Sequence, residues 1–184
     1  MHIVLIDNND SFTRNLEHLL VAATSSKPDI ISYGEDGAAL QGYPFANYDL
    51  IVISPGPGHP DEYSAYDYVF KSGKPVLGIC MGMQIINRFF GGTTDRLPNC
   101  VHGKTDSLEL DDGTLRTVAR YHSLYLSSIG DGLQVTATLA GSDIPMIIEH
   151  KTRPIMGLQF HPESFLTDQG EWYIHHAMRF FGLS

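Results

Sequence analysis

In the first half of the chain the apolar residues fall into short unbroken runs. His2-Ile3-Val4-Leu5-Ile6 is apolar after its first residue and stops at the polar run Asp7-Asn8-Asn9-Asp10. A run this short, bounded by turn formers, predicts a strand buried on both faces. The spacing then changes. Phe12, Leu16, Leu19, Leu20 and Ala23 fall on one side of a helical wheel, which predicts an amphipathic helix that Asp10 or Ser11 can cap. Asp29–Tyr33, Asp49–Ile53 and Lys74–Ile79 repeat the buried-strand pattern, and helices are predicted over Tyr63–Lys71 and from Gly82 to Phe90. Strands apolar along their whole length, alternating with helices, predict a mainly parallel sheet covered on both faces.

The second half changes character. Thr105–Leu110, Leu115–Tyr121, Leu133–Leu139, Met146–Lys151 and Ile155–Phe160 are strand-like and are joined by short turns such as Asp112-Gly113. They predict antiparallel or mixed additions to the sheet. A last helix, near Asp168 to Phe181, carries Trp172, His176, Ala177 and Phe180 on one side. The whole pattern reads as one α/β domain over residues 1–184.

Composition narrows the function. With 184 residues the chain buries about two thirds of its unfolded surface and needs no disulfide or metal staple. No apolar run approaches the roughly 20 residues of a membrane helix, and the N-terminus lacks the basic flank of a signal peptide. A net charge of −9 with 12 Lys and Arg argues against a nucleic-acid backbone as ligand. A small molecule or another protein fits better. Two cysteines, Cys80 and Cys100, make no disulfide framework and show no zinc-finger spacing, so a cytoplasmic setting with reduced thiols is expected.

The chemistry concentrates where a predicted strand meets a predicted helix. Leu77-Gly78-Ile79-Cys80-Met81-Gly82-Met83-Gln84 has the form of a nucleophile elbow with sulfur in place of the hydroxyl. Glycines on either side suit a turn too tight for a Cβ, and the helix start brings N–H groups and a positive dipole end to the sulfur. A buried structural cysteine is the plain alternative for any lone Cys after an apolar strand; the paired glycines favour a nucleophile. Cys100, in Leu97-Pro98-Asn99-Cys100-Val101, has no such setting and reads as structural. A nucleophile needs a base. His161 ends an apolar strand, where side chains reach over the carboxyl edge of an open α/β sheet, and Glu163 can hold its second ring nitrogen. Ser54-Pro55-Gly56-Pro57-Gly58 ends the neighbouring strand, and its glycines can aim an N–H at a developing negative charge, with the Met81 N–H as a second donor. No phosphate-binding glycine pattern is present. Glu171 and His175 lie one helical turn apart, but a solvated helix face explains them better than a shared metal.

Six segments, in order, resemble the class I (triad) glutamine amidotransferases. They are Asp7-Asn8-x-Asp10-Ser11-Phe12-Thr13, Ser54 to Gly58, Leu77 to Gln84, His102-Gly103-Lys104, Arg120-Tyr121-His122-Ser123-Leu124 and Gly157-Leu158-Gln159-Phe160-His161-Pro162-Glu163-Ser164. Within that family the set is most similar to the glutaminase components of anthranilate synthase and aminodeoxychorismate synthase. The resemblance implies a flavodoxin-like fold, attack by Cys80 on the glutamine carboxamide, His161 as base and then acid, and Glu163 as its orienter. It implies that Gly56, Gly58, Gln84, Ser123 and Leu124 hold glutamine, with the Gly58 and Met81 N–H groups as oxyanion donors. It implies no metal and no cofactor, and a synthase subunit of the chorismate-using kind as the partner that accepts ammonia. Two positions depart from the chorismate-branch pattern: Met83 stands where His is usual, and Arg14 where an aromatic residue is usual. Competing expectations are a glutaminase of the GMP-synthetase type, a stand-alone γ-glutamyl hydrolase, or a flavodoxin-like binding module without enzymatic activity.

Overall fold

A computed structural model describes residues 1–97, 103–110 and 112–183. Cys100 and His102 therefore lie outside the described residues. The first half alternates as the apolar runs predict: β1 (Ile3–Asp7), α1 (Thr13–Thr24), β2 (Asp29–Ser32), β3 (Leu50–Ile53), α2 (Asp67–Lys71), β4 (Val76–Ile79) and α3 (Met81–Phe89). There follow β5 (Thr93–Arg96), β6 (Lys104–Leu110), β7 (Leu115–Arg120), β8 (Leu124–Ser128), β9 (Leu133–Leu139), β10 (Pro145–His150), β11 (Ile155–Leu158) and α4 (Gly170–Phe181).

Nine strands form one sheet in the order β2-β1-β3-β4-β11-β10-β9-β6-β7. From β2 through β11 the neighbours are parallel; from β11 outward they are antiparallel. Unbroken apolar runs arise because both faces of the parallel half are covered. Ile3 and Leu5 of β1 join the core under α1 and α4, with Leu16, Leu20, Tyr173 and Ile174. Val4 and Ile6 point the other way, into the core with Tyr66, Phe70, Ile85 and Ile86 of the opposite layer. Truncating a fully buried side chain such as Leu20 costs about 2–5 kcal/mol, the lost transfer energy plus the cavity left behind.

Three local expectations need correction. The stretch Tyr63–Lys71 is not one helix: 3₁₀ turns at Pro60–Glu62 and Ser64–Tyr66 precede the five-residue α2. Neither Asp10 nor Ser11 caps the first turn of α1, whose flanking residue Phe12 is already helical and makes no side-chain cap. Asp10 instead accepts from the Phe12 N–H, and Asp7 from Asn9, Asp10 and the Thr13 hydroxyl, so carboxylates organise the loop ahead of the helix. Finally, β5 and β8 pair as a separate two-stranded antiparallel sheet that the apolar pattern did not predict. Thr93–Arg96 has no buried residue, so it carries no periodic apolar signal.

Candidate active site

Cys80 is the single residue between the end of β4 and the start of α3. Its backbone sits at φ 53°, ψ −101°, a region that L-residues rarely occupy. Packing enforces this turn. A Cβ on Gly78 would lie 2.5 Å from the Gly82 carbonyl carbon, and one on Gly82 would lie 2.6 Å from the Ile53 carbonyl oxygen. The flanking glycines thus let helix, turn and neighbouring strand close on one another, as an elbow requires.

The register of the sheet sets His161 beside it. β11 pairs with β4 in parallel, Leu158 opposite Ile79, and the Cys80 N–H donates to the Leu158 carbonyl at 2.7 Å. Three residues beyond β11, His161 is held by its own backbone: its N–H donates to the Ala119 carbonyl, and its carbonyl accepts from the Thr167 hydroxyl at 2.6 Å. The ring is wedged between Phe12 (centroids 5.2 Å apart) and Tyr121 (5.0 Å, edge-on). Nδ1 meets Glu163 Oε1 at 2.7 Å, and the Glu163 side chain is fully buried. Nε2 is buried with no directional hydrogen-bond partner among the described residues. Burial opposes a charged imidazole here, but the interactions with the Cys80 sulfur and then with Glu163 outweigh it, holding the His161 pKa well above its ordinary 6.5.

A cavity of about 240 Å³ opens over the sulfur, lined by Gly56, Pro57, Gly58, Cys80, Met81, Gln84, Tyr121, His122, Ser123 and Leu124. It brings together seven residues singled out in the sequence: Gly56, Gly58, Cys80, Met81, Gln84, Ser123 and Leu124. His161 and Glu163 stand behind the cavity rather than in its lining. A larger hollow of about 450 Å³ lies beside His175 and Met178, but its Thr24 and Ser26 hydroxyls bond backbone carbonyls and His175 Nε2 meets the Ala23 carbonyl, so none of them is paired as nucleophile and base.

Both walls of the cavity are braced. The loop after β3 is anchored through Asn8, whose N–H donates to Ser54 Oγ and whose amide donates to the Ser54 carbonyl, both at 2.9 Å. Tyr66 donates to Asn8 Oδ1 at 2.5 Å, and Tyr63 donates to the Pro57 carbonyl at 2.8 Å. Gly58 has φ +78°, where a side chain is strained. On the opposite wall Arg120 Nε donates to His122 Nε2 at 2.9 Å, and His122 Nδ1 meets the Leu124 carbonyl at 2.7 Å. Burial, reinforced by the Arg120 charge against the opposing pull of the Leu124 carbonyl, lowers the His122 pKa to about 4. The ring is therefore neutral at physiological pH, with its proton on Nδ1, because Arg120 can only donate.

Phe12, Tyr121, His122 and Gln159 belong to the site although only their motifs, not their roles, stood out in the sequence. An aromatic or amide side chain beside a strand end has no spacing that separates wall from core. Met83 is fully buried and packs where a Cβ on Gly157 would collide, so its departure from the family pattern concerns packing, not the cavity. Arg14 is exposed on α1 and pairs with Glu17 at 2.8 Å. Among the described residues there is no metal-ligand cluster, and no helix is long and apolar enough to cross a membrane.

Residues 4–179 match the family model for glutamine amidotransferase class-I. The chain is 38% identical to anthranilate synthase component 2 of Halobacterium salinarum, over 92% of this chain and 93% of that protein. It is 36% identical to aminodeoxychorismate synthase of Streptomyces griseus, over 92% of this chain but 25% of that protein. Among solved structures, a Thermoplasma acidophilum protein provisionally described as one subunit of a GMP synthase superposes with a TM-score of 0.80 at 24% identity, covering 99% of this chain and 94% of that one, which speaks for the fold. With a family match spanning almost its full length and relatives of this similarity, the chain belongs to the class I glutamine amidotransferases, an enzymatic family.

Proposed function

We propose that this chain, acting as one amidotransferase domain over residues 1–184, is a glutaminase subunit that supplies ammonia to a chorismate-using synthase making anthranilate or 4-amino-4-deoxychorismate. One observation carries the reading: a buried His161–Glu163 pair 2.7 Å apart stands behind a cysteine at a strained elbow that opens into a small polar cavity. The Cys80 thiolate attacks the carboxamide carbon of L-glutamine, held by Gly56, Gly58, Gln84, Ser123 and Leu124. Negative charge moves to the amide oxygen, which the N–H groups of Gly58 and Met81 receive. Protonated His161, held by Glu163, gives its proton to the departing nitrogen, the C–N bond breaks, and a glutamyl thioester remains on Cys80. His161, now neutral, takes a proton from water, the hydroxide attacks the thioester, and glutamate leaves as the thiolate re-forms. No metal or cofactor takes part.

The residue roles follow from position. Glu163 touches only the far nitrogen of the ring, so it orients and stabilises the imidazolium rather than transferring a proton. The relatives named anthranilate synthase component 2 and aminodeoxychorismate synthase support the chorismate branch over the GMP-synthetase type. Cys80→Ser, assayed in complex with the synthase, tests the reading. Glutamine-driven amination is expected to vanish, because a hydroxyl is far less nucleophilic than a thiolate, while amination from added ammonium salts persists on the other chain. Equal loss of both activities would overturn the assignment.

A further inference from the structure

The Cys80 sulfur has a contact, from a residue outside the cavity lining, that the triad does not use. Gln159, the residue after β11, is fully buried and points its side-chain amide at that sulfur, with Nε2 3.7 Å from Sγ. An amide can present either its N–H or its oxygen, so orientation must be argued from the partners. Here a backbone group of fixed polarity decides it. The Leu124 carbonyl can only accept, and Gln84 Nε2 faces it at 3.5 Å. The same Gln84 Nε2 lies 3.1 Å from Gln159 Oε1. With its oxygen committed to Gln84, Gln159 has only N–H to offer the sulfur.

We propose that Gln159 is a further catalytic residue: its side-chain N–H donates to the Cys80 sulfur and stabilises the attacking thiolate. The proposal rests on the reading of Cys80 as the nucleophile. A primary amide suits this task because it donates to an anion without being able to protonate it at neutral pH, so every proton transfer is left to His161. Because Gln159 does not line the cavity, this stabilisation is present before substrate enters. Gln84 then has two duties. Its N–H groups hold Gln159 and Leu124, while its Oε1, buried and without a partner among the described residues, is left for a donor on the ligand.

Alkylation of the intact chain by iodoacetamide, followed by mass spectrometry of the peptide containing Cys80, tests this without substrate or partner. Gln159→Met keeps the length and volume of the side chain and removes the donor. At neutral pH its alkylation rate at Cys80 is expected to fall by about tenfold, the lower end for a hydrogen bond to a charged atom. The deficit should shrink as the pH is raised, because a donor to the anion matters only where thiol and thiolate compete; a merely structural role would leave that pH profile unmoved. Should Gln159→Met fail to fold, Gln159→Leu carries the test: it removes the same donor without adding a charge, and its rate should fall as far. An unchanged rate and pH profile in the folded variant overturns the role of Gln159 and leaves the nucleophile reading standing. A wild-type Cys80 that resists alkylation overturns both.

Discussion

Gly82→Ala probes how tightly the elbow is built. The added methyl would meet the Ile53 carbonyl oxygen at 2.6 Å and Ile53 Cβ at 3.1 Å. A carbon–oxygen contact of this kind relaxes near 3.3 Å, so about 0.7 Å of movement is needed. Ile53 cannot yield, because it is fully buried on β3, a strand paired on both sides with β1 and β4. The first turn of α3 must move instead. Overpacking of this size costs about 1–3 kcal/mol, and up to about 1 kcal/mol returns because alanine is the better helix former. Net destabilisation of roughly 0–3 kcal/mol is therefore expected in urea titrations of the isolated chain. The effect on turnover should be larger in proportion. Cys80 and the Met81 N–H ride on that turn, and a misplacement approaching 1 Å costs on the order of 10²-fold in rate. Glutamine turnover of the synthase complex should thus fall by about 10- to 100-fold while the fold persists. Wild-type turnover together with an unchanged urea midpoint would show that α3 is free to slide and does not set the geometry of the sulfur.

Other outcomes follow from the same geometry. Glu163→Gln should retain the fold and lose part of the glutaminase rate, whereas His161→Ala should lose more, about 10²- to 10⁴-fold, because it removes the proton carrier; His161→Ala with unaltered turnover in the complex would sink the mechanism. His122, with a folded pKa of about 4 against 6.5, binds its proton more weakly in the folded state than in the unfolded one. Stability should therefore drop as pH falls from about 6.5 to about 4, by on the order of 3 kcal/mol. His122→Asn should flatten that part of the urea-stability profile, and parallel profiles would refute the assignment. His161 has the opposite sign. Its pKa is raised by the Cys80 sulfur and Glu163 over the opposing effect of burial, so its contribution is complete below about pH 6.5 and fades only as pH climbs through the folded value. The stability difference between wild type and His161→Ala should shrink on the alkaline side; a constant difference would contradict it.

The parallel half was legible because burial on both faces writes unbroken apolar runs, as in Leu50–Ile53, where every residue is buried. The antiparallel half was legible as strands but not in its order. β6 and β7 occupy the far end of the sheet, and nothing in a local pattern says that β11 inserts between β4 and β10. Thr93–Arg96 and Leu124–Ser128 went unread because a small two-stranded sheet with little burial leaves no period. At the site, the elbow was legible through steric demand: glycines two residues before and two residues after a strand-end cysteine mark a turn that leaves no room for a Cβ. Gln159 was not, because its role depends on which way an amide faces. That is settled by the Leu124 carbonyl acting through Gln84, 35 and 75 residues away in the chain.

The pairing of β4 with β11 also governs when the site can exist. Leu158 stands opposite Ile79, 79 residues apart in the chain. Closing so long a loop is entropically slow, and a growing polypeptide cannot begin to do so until Ile155–Leu158 has been made. Until then β4 is the open edge of a half-built sheet, with an unpaired row of backbone groups of the kind that recruits stray strands. Through the same interval Cys80 has neither its base nor Gln159 beside it. Chemical competence and closure of that vulnerable edge thus arrive in one event, so a chain that stalls before β11 is at once sticky and catalytically silent.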